Sequence, residues 1–218
     1  MILGIYGAGG LGREVLVLAQ EINAREHRWS EFFFIDDIQP DRMLKGVQVK
    51  GFTSINPGRL TDDIEIVIAI GEPAVRAVLA ERVQASQGQL ARLVHPNVRV
   101  PDCTRIGHGA VLCDGAFVSS DSVIGENAYL QSYAYIAHDC QIGEHSVIST
   151  YASFGGYCRV GTRTFIGMGA LIRENSCIGD DVIIGMGSVV LKDVQDGVII
   201  TGNPATIMRK NDAKKVFK

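Results

Sequence analysis

The side chains best suited to proton transfer are an adjacent histidine and aspartate, His138 and Asp139. A carboxylate beside an imidazole orients the ring and raises its basicity, as a general base requires. The pair lies between Ile136 and Cys140, two positions that we expect to be buried, so both polar side chains should point outward. This pair is therefore the leading candidate for a catalytic centre.

A second candidate site is a glycine-rich loop at residues 7–12, with the sequence GAGGLG, which directly follows an apolar run. Such glycines let the backbone approach a phosphate, and the free N–H groups of the following helix can bind it. Asp36 and Asp37 stand at the end of the next apolar run, where either carboxylate could hydrogen-bond a base or a ribose. The GxGxxG pattern is typical of NAD sites, but a dinucleotide needs two βαβαβ halves.

Residues 1–90 should form one such half, the α/β domain that carries this loop. Apolar runs at 2–6, 32–35 and 66–70 alternate with helix-like stretches at 13–26 and 72–87, which predicts a βαβαβ unit with a parallel sheet. We expect a hairpin at 46–51 and a turn at Asn56-Pro57-Gly58. A single half suits a mononucleotide, so we favour a nucleoside-diphosphate sugar as the ligand. A loop that only packs helix on strand is the alternative.

The second part of the chain has a period of six residues. From Val94 to Val190 every sixth residue is large and apolar, which gives 17 hexads without a change of phase. The residue four places later is small or compact, and glycine often follows the large one. This period fits a triangular prism with one hexad per side. Residues 91–218 should therefore form a parallel β-helix with 18-residue coils, ending in a basic tail at 209–218 that we expect to be a short solvated helix.

The coil length of 18 residues places Gly156 beside His138, one coil further along. Glycine leaves the backbone open there, and its N–H could stabilise the oxyanion that forms when an amine attacks a thioester. The β-helix of γ-class carbonic anhydrases holds zinc with histidines about one hexad apart. His138 and His145 are seven residues apart and out of phase, so we expect no metal.

Charge and hydropathy exclude other classes of protein. The 21 Lys and Arg residues against 24 Asp and Glu residues give a net charge of -3, without the basic surplus that nucleic-acid binding needs. The N-terminal residues read as a strand rather than a signal peptide, and no run of 18 apolar residues is present. We expect a cytoplasmic protein that binds neither nucleic acid nor membrane.

The order of the two parts, together with residues 137–144 (AHDCQIGE), resembles the sialic acid O-acetyltransferase family. This family includes the bacterial nucleotide-aminosugar N-acetyltransferases of the NeuD/PglD type. The resemblance implies a left-handed β-helix, a homotrimer with active sites at subunit interfaces, and acetyl-CoA as co-substrate. It implies transfer of the acetyl group to the amino group of a nucleotide-linked sugar, for cell-surface glycan biosynthesis. O-acetylation of sialic acid or another sugar and a non-catalytic sugar-nucleotide scaffold are the alternatives.

The resemblance also assigns roles to individual residues. His138 is implied as the general base, Asp139 as its partner and Gly156 as the oxyanion donor. The implied coenzyme A contacts are Met168, Met186 and Val147, the last of which replaces a histidine of the relatives. The implied nucleotide-sugar contacts are Gly7, Gly9, Gly10, Leu11, Asp36, Asp37 and Gly71.

Overall fold

The computed structural model describes residues 1–55, 60 and 63–217, so the turn predicted at Asn56-Pro57-Gly58 lies outside the described residues. The first part of the chain is a six-stranded sheet with a helix on each face. Its elements are β1 Ile2–Tyr6, α1 Gly10–Glu26, β2 Glu31–Ile35, β3 Arg42–Leu44, β4 Val47–Lys50, α2 Phe52–Ile55, β5 Ile64–Ile68, α3 Pro73–Ala85 and β6 Gln89–Leu90. The strand order is β3-β4-β2-β1-β5-β6, and only the β3–β4 pair is antiparallel.

Both faces of this sheet are apolar, as expected for a parallel sheet covered by helices. One face packs Leu3, Ile5 and Phe34 against α1, and the other packs Ile35 and Ile66 on the side of α3. The α/β half predicted from the sequence is thus confirmed. Helix α1 begins at Gly10, inside the glycine loop, rather than at residue 13.

The hairpin predicted at residues 46–51 is misplaced. The two antiparallel strands are β3 and β4, with Leu44 opposite Val47. Lys45 and Gly46 form the turn between them with φ values of 52° and 76°. A two-residue turn with positive φ at both positions matches the right-handed twist of the flanking strands. Gly46 is therefore the turn itself and not the start of a strand.

The second part of the chain is a three-sided left-handed parallel β-helix, as predicted. We call its sides the covered face, the aromatic face and the polar face. The covered face consists of β7 Leu93–Val94, β9 Val111–Leu112, β12 Tyr129–Leu130, β15 Val147–Ile148, β18 Phe165–Ile166, β21 Ile183–Ile184, β23 Val198–Gly202 and β24 Ala205–Lys210. The aromatic face consists of β10 Phe117–Val118, β13 Tyr135–Ile136, β16 Ser153–Phe154, β19 Leu171–Ile172 and β22 Val189–Val190. The polar face consists of β8 Arg105–Ile106, β11 Val123–Ile124, β14 Gln141–Ile142, β17 Arg159–Val160 and β20 Cys177–Ile178.

The second residue of each of these two-residue strands points into the prism, and the first points out. Ile136, Ile148 and Ile166 are fully buried in the prism core, and so are the small residues Cys140 and Ala170 at the bends. Strand pairs up to β22 join residues 18 apart, as in the pairing of Tyr135 with Ser153. The last coil is two residues shorter, because Ile183 pairs with Ile199. The six-residue period of the sequence therefore describes the prism up to this last coil.

The N-terminal domain packs on the covered face. Outward side chains of this face join the core of α1, and three of them, Val111, Tyr129 and Val147, are at most 1% exposed. A fully buried Arg76 from α3 fixes the junction: its guanidinium donates to the carbonyls of Ile68 and Ile70, and to the carbonyl and side-chain oxygens of Asn127.

The segment after the β-helix differs from the expected solvated helix. Residues up to Lys210 form the outer strand of a hairpin, β23–β24, on the covered face. The remaining described residues return to the N-terminal domain, where the backbone N–H groups of Val216 and Phe217 donate to the Glu72 carboxylate. Within the described residues, no helix is long and apolar enough to cross a membrane.

Candidate active site

His138 and Asp139 lie at the open corner of the prism between the aromatic and polar faces. The imidazole Nδ1 is 2.8 Å from Asp139 Oδ2, and the two side chains are 51% and 40% exposed. Asp139 has a φ of 58°, which turns it back beside the ring, and its N–H donates to the carbonyl of Ser120. With Nδ1 held by the carboxylate, Nε2 is left without a partner among the described residues and can accept a proton.

Gly156 lies directly beneath the His138 ring. A Cβ atom at this position would stand 2.6 Å from Cε1 and 2.9 Å from Nε2 of the imidazole. The ring is bounded on another side by Tyr157, which meets it edge-on with 5.1 Å between ring centroids. The Gly156 N–H donates no hydrogen bond within the described part of the chain. The corner therefore combines an imidazole seated on a glycine with a backbone N–H that has no partner among the described residues.

The glycine loop is closely packed at its two ends and open in its middle. Gly7 has a φ of 121°, and a Cβ there would stand 2.6 Å from the carbonyl oxygen of Ala69. Gly12 lies so close to the Gly7 carbonyl that no side chain fits between α1 and β1. Gly9 and Gly10, by contrast, face open space, and Gly9 precedes α1 without a side-chain cap. The first N–H groups of α1 are thus available to an anion.

Asp36 and Asp37 point to opposite faces of the sheet. Strand alternation places Asp36 on the α1 side, the face of the glycine loop, where it accepts from Arg42 Nη2 at 3.0 Å. Burial alone would raise its pKa, but the Gln39 N–H, Arg42 and the Ile38 N–H outweigh that effect and lower it. Asp36 is therefore an ionised acceptor near the loop.

Asp37 lies on the α3 side and is held by other parts of the domain. It accepts from the Tyr6 hydroxyl at 2.7 Å, from the Phe52 N–H at 2.8 Å and from Arg82. Burial raises the pKa of Asp37, whereas these donors lower it, with a net decrease. Asp36 also has three intramolecular donors, so what distinguishes Asp37 is that it faces away from the glycine loop.

Gly71 follows β5 and closes the other side of the loop. A Cβ at Gly71 would stand 3.4 Å from the Phe217 ring and 3.9 Å from Leu11. The structure thus places Gly71 next to Leu11 of the glycine loop. Phe217 was not predicted here, because nothing in the local sequence signals a contact across 146 residues, the separation of Gly71 and Phe217.

Met168 and Met186 stack on successive coils at the corner between the covered and aromatic faces. The Gly187 N–H donates to the Met168 carbonyl at 2.8 Å, and the two thioether side chains are 54% and 77% exposed. A Cβ at Gly169 or Gly187 would meet nothing within 4 Å, so this corner is open.

Val147 does not belong to an accessible site. Its side chain points outward from the covered face and is 1% exposed, beneath the N-terminal domain. A cofactor cannot reach it there, so the prediction that Val147 contacts coenzyme A is wrong. The neighbouring His145 is also unsuited to proton transfer. Burial lowers its pKa, and Asn127 Nδ2 lies 3.0 Å from its ring.

The two halves of the site lie far apart within one chain. The glycine loop sits over the covered face, since Leu11 packs against the same apolar cluster as Val111, Tyr129 and Val147. His138 occupies the corner between the other two faces, and in a triangular prism that corner is opposite the covered face. Among the described residues, no three His, Cys, Asp or Glu side chains are grouped so as to hold a metal ion.

Comparisons with known proteins agree with this architecture. Residues 3–83 match the PglD N-terminal domain family, and residues 121–156 and 157–192 match the bacterial transferase hexapeptide family of six repeats. The acetyltransferase domain of PglB from Neisseria gonorrhoeae FA1090, solved with acetyl coenzyme A, is 30% identical with a TM-score of 0.88. That similarity covers 95% of this chain and 98% of the PglB domain.

Two further relatives are perosamine enzymes. PerB from Caulobacter crescentus, solved with CoA and GDP-perosamine, is 26% identical with a TM-score of 0.84, over 95% of this chain and 97% of that one. GDP-perosamine N-acetyltransferase from Escherichia coli O157:H7 is 32% identical over 128 residues. This match spans 56% of the present chain and 56% of the E. coli enzyme.

Proposed function

The chain belongs to the hexapeptide-repeat acetyltransferases that carry a PglD-type N-terminal domain, and from this premise we propose that it acetylates the amino group of a nucleotide-linked amino sugar. Acetyl-CoA is the proposed donor, and the product serves cell-surface glycan biosynthesis. We propose that the reaction takes place in the cytoplasm. The observation that carries the proposal is the His138 imidazole, held by Asp139 and seated on Gly156 at an exposed corner.

The proposed reaction is direct transfer between two bound substrates, so proximity supplies part of the rate. The amine nitrogen attacks the thioester carbonyl carbon while His138 Nε2 takes a proton from the amine. The Gly156 N–H donates to the oxyanion of the tetrahedral intermediate. The carbon–sulfur bond then breaks, and the electron pair leaves with the thiolate of coenzyme A. Asp139 remains ionised and stabilises the imidazolium.

The acceptor is proposed to lie along the carboxyl ends of β2, β1 and β5. Its diphosphate binds the open backbone at Gly9 and Gly10, and its ribose or base hydrogen-bonds Asp36. Gly7 keeps the loop shape, and Leu11 and Gly71 border the sugar end. Asp37 is proposed to support the loop from the opposite face rather than to bind the ligand. The open corner at Met168 and Met186 is the proposed surface for coenzyme A.

We propose that the active protein is a homotrimer, because one chain separates the glycine loop from His138. A second chain would bring its own His138 corner to the acceptor. The aromatic face supports this assembly, since Phe117, Tyr135 and Leu171 are 46%, 44% and 50% exposed on a flat side of the prism. Exposed large apolar side chains grouped on one flat side often mark a contact between subunits.

The proposed activity is tested by thiol release from acetyl-CoA with UDP-, dTDP-, GDP- and CMP-linked amino sugars. We expect turnover with at least one of them, and a lower kcat with the same amino sugar lacking its nucleotide, because remote binding energy contributes to the rate. A hydroxyl sugar with the same nucleotide is the matched control and should not react. Faster acetylation of free sialic acid would contradict the proposal and favour O-acetylation.

A mixing experiment tests the shared active site. The variant His138→Ala lacks the base. The variant Gly10→Glu places a carboxylate against the bound diphosphate and should repel it. A glutamate is compatible with the first turn of a helix, so α1 should still fold. Each variant alone should retain no more than about 1% of wild-type activity. Random co-assembly of equal amounts into trimers should restore about a quarter of wild-type activity if loop and base come from different chains. Tags on both variants verify that mixed trimers have formed. If such trimers recover no activity, the whole site lies in one chain.

A further inference from the structure

The described residues after β24 form a strap, residues 211–217, that ties the end of the β-helix to the N-terminal domain. Asn211 is 7% exposed, and its Nδ2 donates to the carbonyl of Asp181 at 2.8 Å. Lys214 Nζ lies 3.0 Å from the Asp181 carboxylate, which also forms a two-point contact with Arg163 at 2.8 Å. The path of the strap is therefore fixed before it reaches the N-terminal domain.

The far end of the strap is held by Glu72, the residue that precedes α3. Its two carboxylate oxygens accept from the N–H groups of Val216 and Phe217 at 2.8 and 3.1 Å. The Glu72 side chain makes no cap hydrogen bond to its own helix. Charge-assisted hydrogen bonds to backbone N–H groups are among the stronger ones, so this contact positions the Phe217 backbone.

The ring of Phe217 stands between the two domains at the edge of the proposed acceptor site. One edge meets the ring of Phe165, with centroids 5.6 Å apart and planes at 84°. The ring also lies against Gly71, 3.4 Å from where a Cβ would be, and Leu11 lies 3.9 Å from the same point. The side chain is nevertheless 52% exposed, so part of the ring remains free for a ligand.

The order of the strands shows which part of the acceptor would meet this ring. Strand β1 lies between β2 and β5, so the glycine loop lies between Asp36 on one side and Gly71 on the other. A diphosphate at the loop therefore directs its two substituents to opposite sides. The carboxylate of Asp36 suits the ribose or base, and the sugar then extends toward Gly71 and Phe217.

We propose that Phe217 is a specificity-determining residue for the sugar half of the acceptor, and that the strap holds its ring as one wall of the acceptor site. This inference rests on the proposed function. An aromatic ring offers an apolar surface to the C–H groups of a deoxygenated sugar, whereas a fully hydroxylated sugar face loses hydrogen bonds to water there. The ring acts on sugar binding and takes no part in proton transfer.

The test compares Phe217→Ala with wild-type protein, using the nucleotide-linked amino sugar that gives the fastest thiol release in the panel above. We expect KM for this acceptor to rise about 3- to 12-fold, the range that an aromatic contact provides. The affinity for the matching free nucleoside diphosphate, measured by calorimetry, should stay within about twofold, because the nucleotide lies on the other side of the loop. KM for acetyl-CoA should also be unchanged.

Three further variants separate this role from a structural one. Phe217→Tyr keeps the ring and should restore the wild-type KM. Glu72→Ala releases the strap, and its effect on KM should not add to that of Phe217→Ala. Lys215→Ala, a change at an exposed position in the same strap, is the matched control and should leave KM unaltered.

Other outcomes overturn the inference. An unchanged or lower KM in Phe217→Ala would show that the ring does not contact the sugar. Equal losses of sugar and nucleotide affinity, or loss of the trimer in light scattering, would assign the residue a structural role. If the wild-type protein acetylates no member of the panel, the proposed function itself fails.

Discussion

Replacing His138 with alanine should lower kcat about 10²- to 10⁴-fold, the usual contribution of a general base. The side chain is 51% exposed at a corner of the prism, so its removal leaves the core of the β-helix intact. The proposed coenzyme A surface at Met168 and Met186 lies at a different corner of the same chain. The affinity for acetyl-CoA should therefore be retained while turnover is lost, as steady-state kinetics and calorimetry on one preparation can establish.

Two accompanying measurements make this result specific. Asp139→Asn removes only the charge that orients and stabilises the ring, so its loss of kcat should be smaller than that of His138→Ala. In the wild-type protein, kcat/KM should fall at acidic pH because the base becomes protonated. This dependence on pH should disappear in His138→Ala. Retention of more than about a third of wild-type kcat would show that His138 is not the base.

In that case His145 would not be an obvious replacement. It lies at the corner between the polar and covered faces, close to the buried Arg76 and Asn127. Burial, together with the nearby guanidinium, lowers its pKa and leaves it a weaker base. Deprotonation of the amine by water would then be the simpler explanation.

The β-helix was predictable from the sequence because each of its constraints is local. Every hexad supplies one side of the prism, so a large residue such as Ile136 and a small one such as Cys140 are buried whatever the rest of the chain does. Adding 18 residues to His138 then gives Gly156 without further assumptions. The structure places the two in contact.

The choice of which face the N-terminal domain covers was not predictable in this way. The hexads of the three faces look alike in sequence, and the docking depends on contacts such as that between Arg76 and Asn127, which are 51 residues apart. The error at Val147 follows directly. An outward position on a β-helix implies accessibility only if no other domain packs on that face.

The sequence contained enough information to predict the face of the sheet to which Asp36 and Asp37 each point. Side chains alternate between the faces of a strand, so the burial of Phe34 against α1 assigns Asp36 to that same side. Asp37 must then point toward α3, where it accepts from Tyr6. The strap offered no comparable signal, because its basic residues suggest solvation and its anchor, Glu72, is distant in sequence.

The second large effect is expected from Gly156→Ala. Gly156 has no left-handed backbone conformation, and the three atoms nearest to its missing Cβ all belong to the His138 ring, at 2.6 to 3.1 Å. Such distances are too short for carbon, so the ring must swing away while the backbone stays in place. The free energy of unfolding should change by no more than about 1 kcal/mol.

Displacement of a catalytic group by about 1 Å can cost 10²-fold in rate, and we expect a loss of kcat of that order in Gly156→Ala. The variant keeps the backbone N–H at position 156. The loss of kcat is therefore due to displacement of the His138 ring and not to loss of the oxyanion donor. In a His138→Ala background, the same substitution should therefore have little further effect on kcat, because the clash has been removed. If the two losses multiply instead, Gly156 acts independently of the histidine, and the ring is not the group that this glycine accommodates.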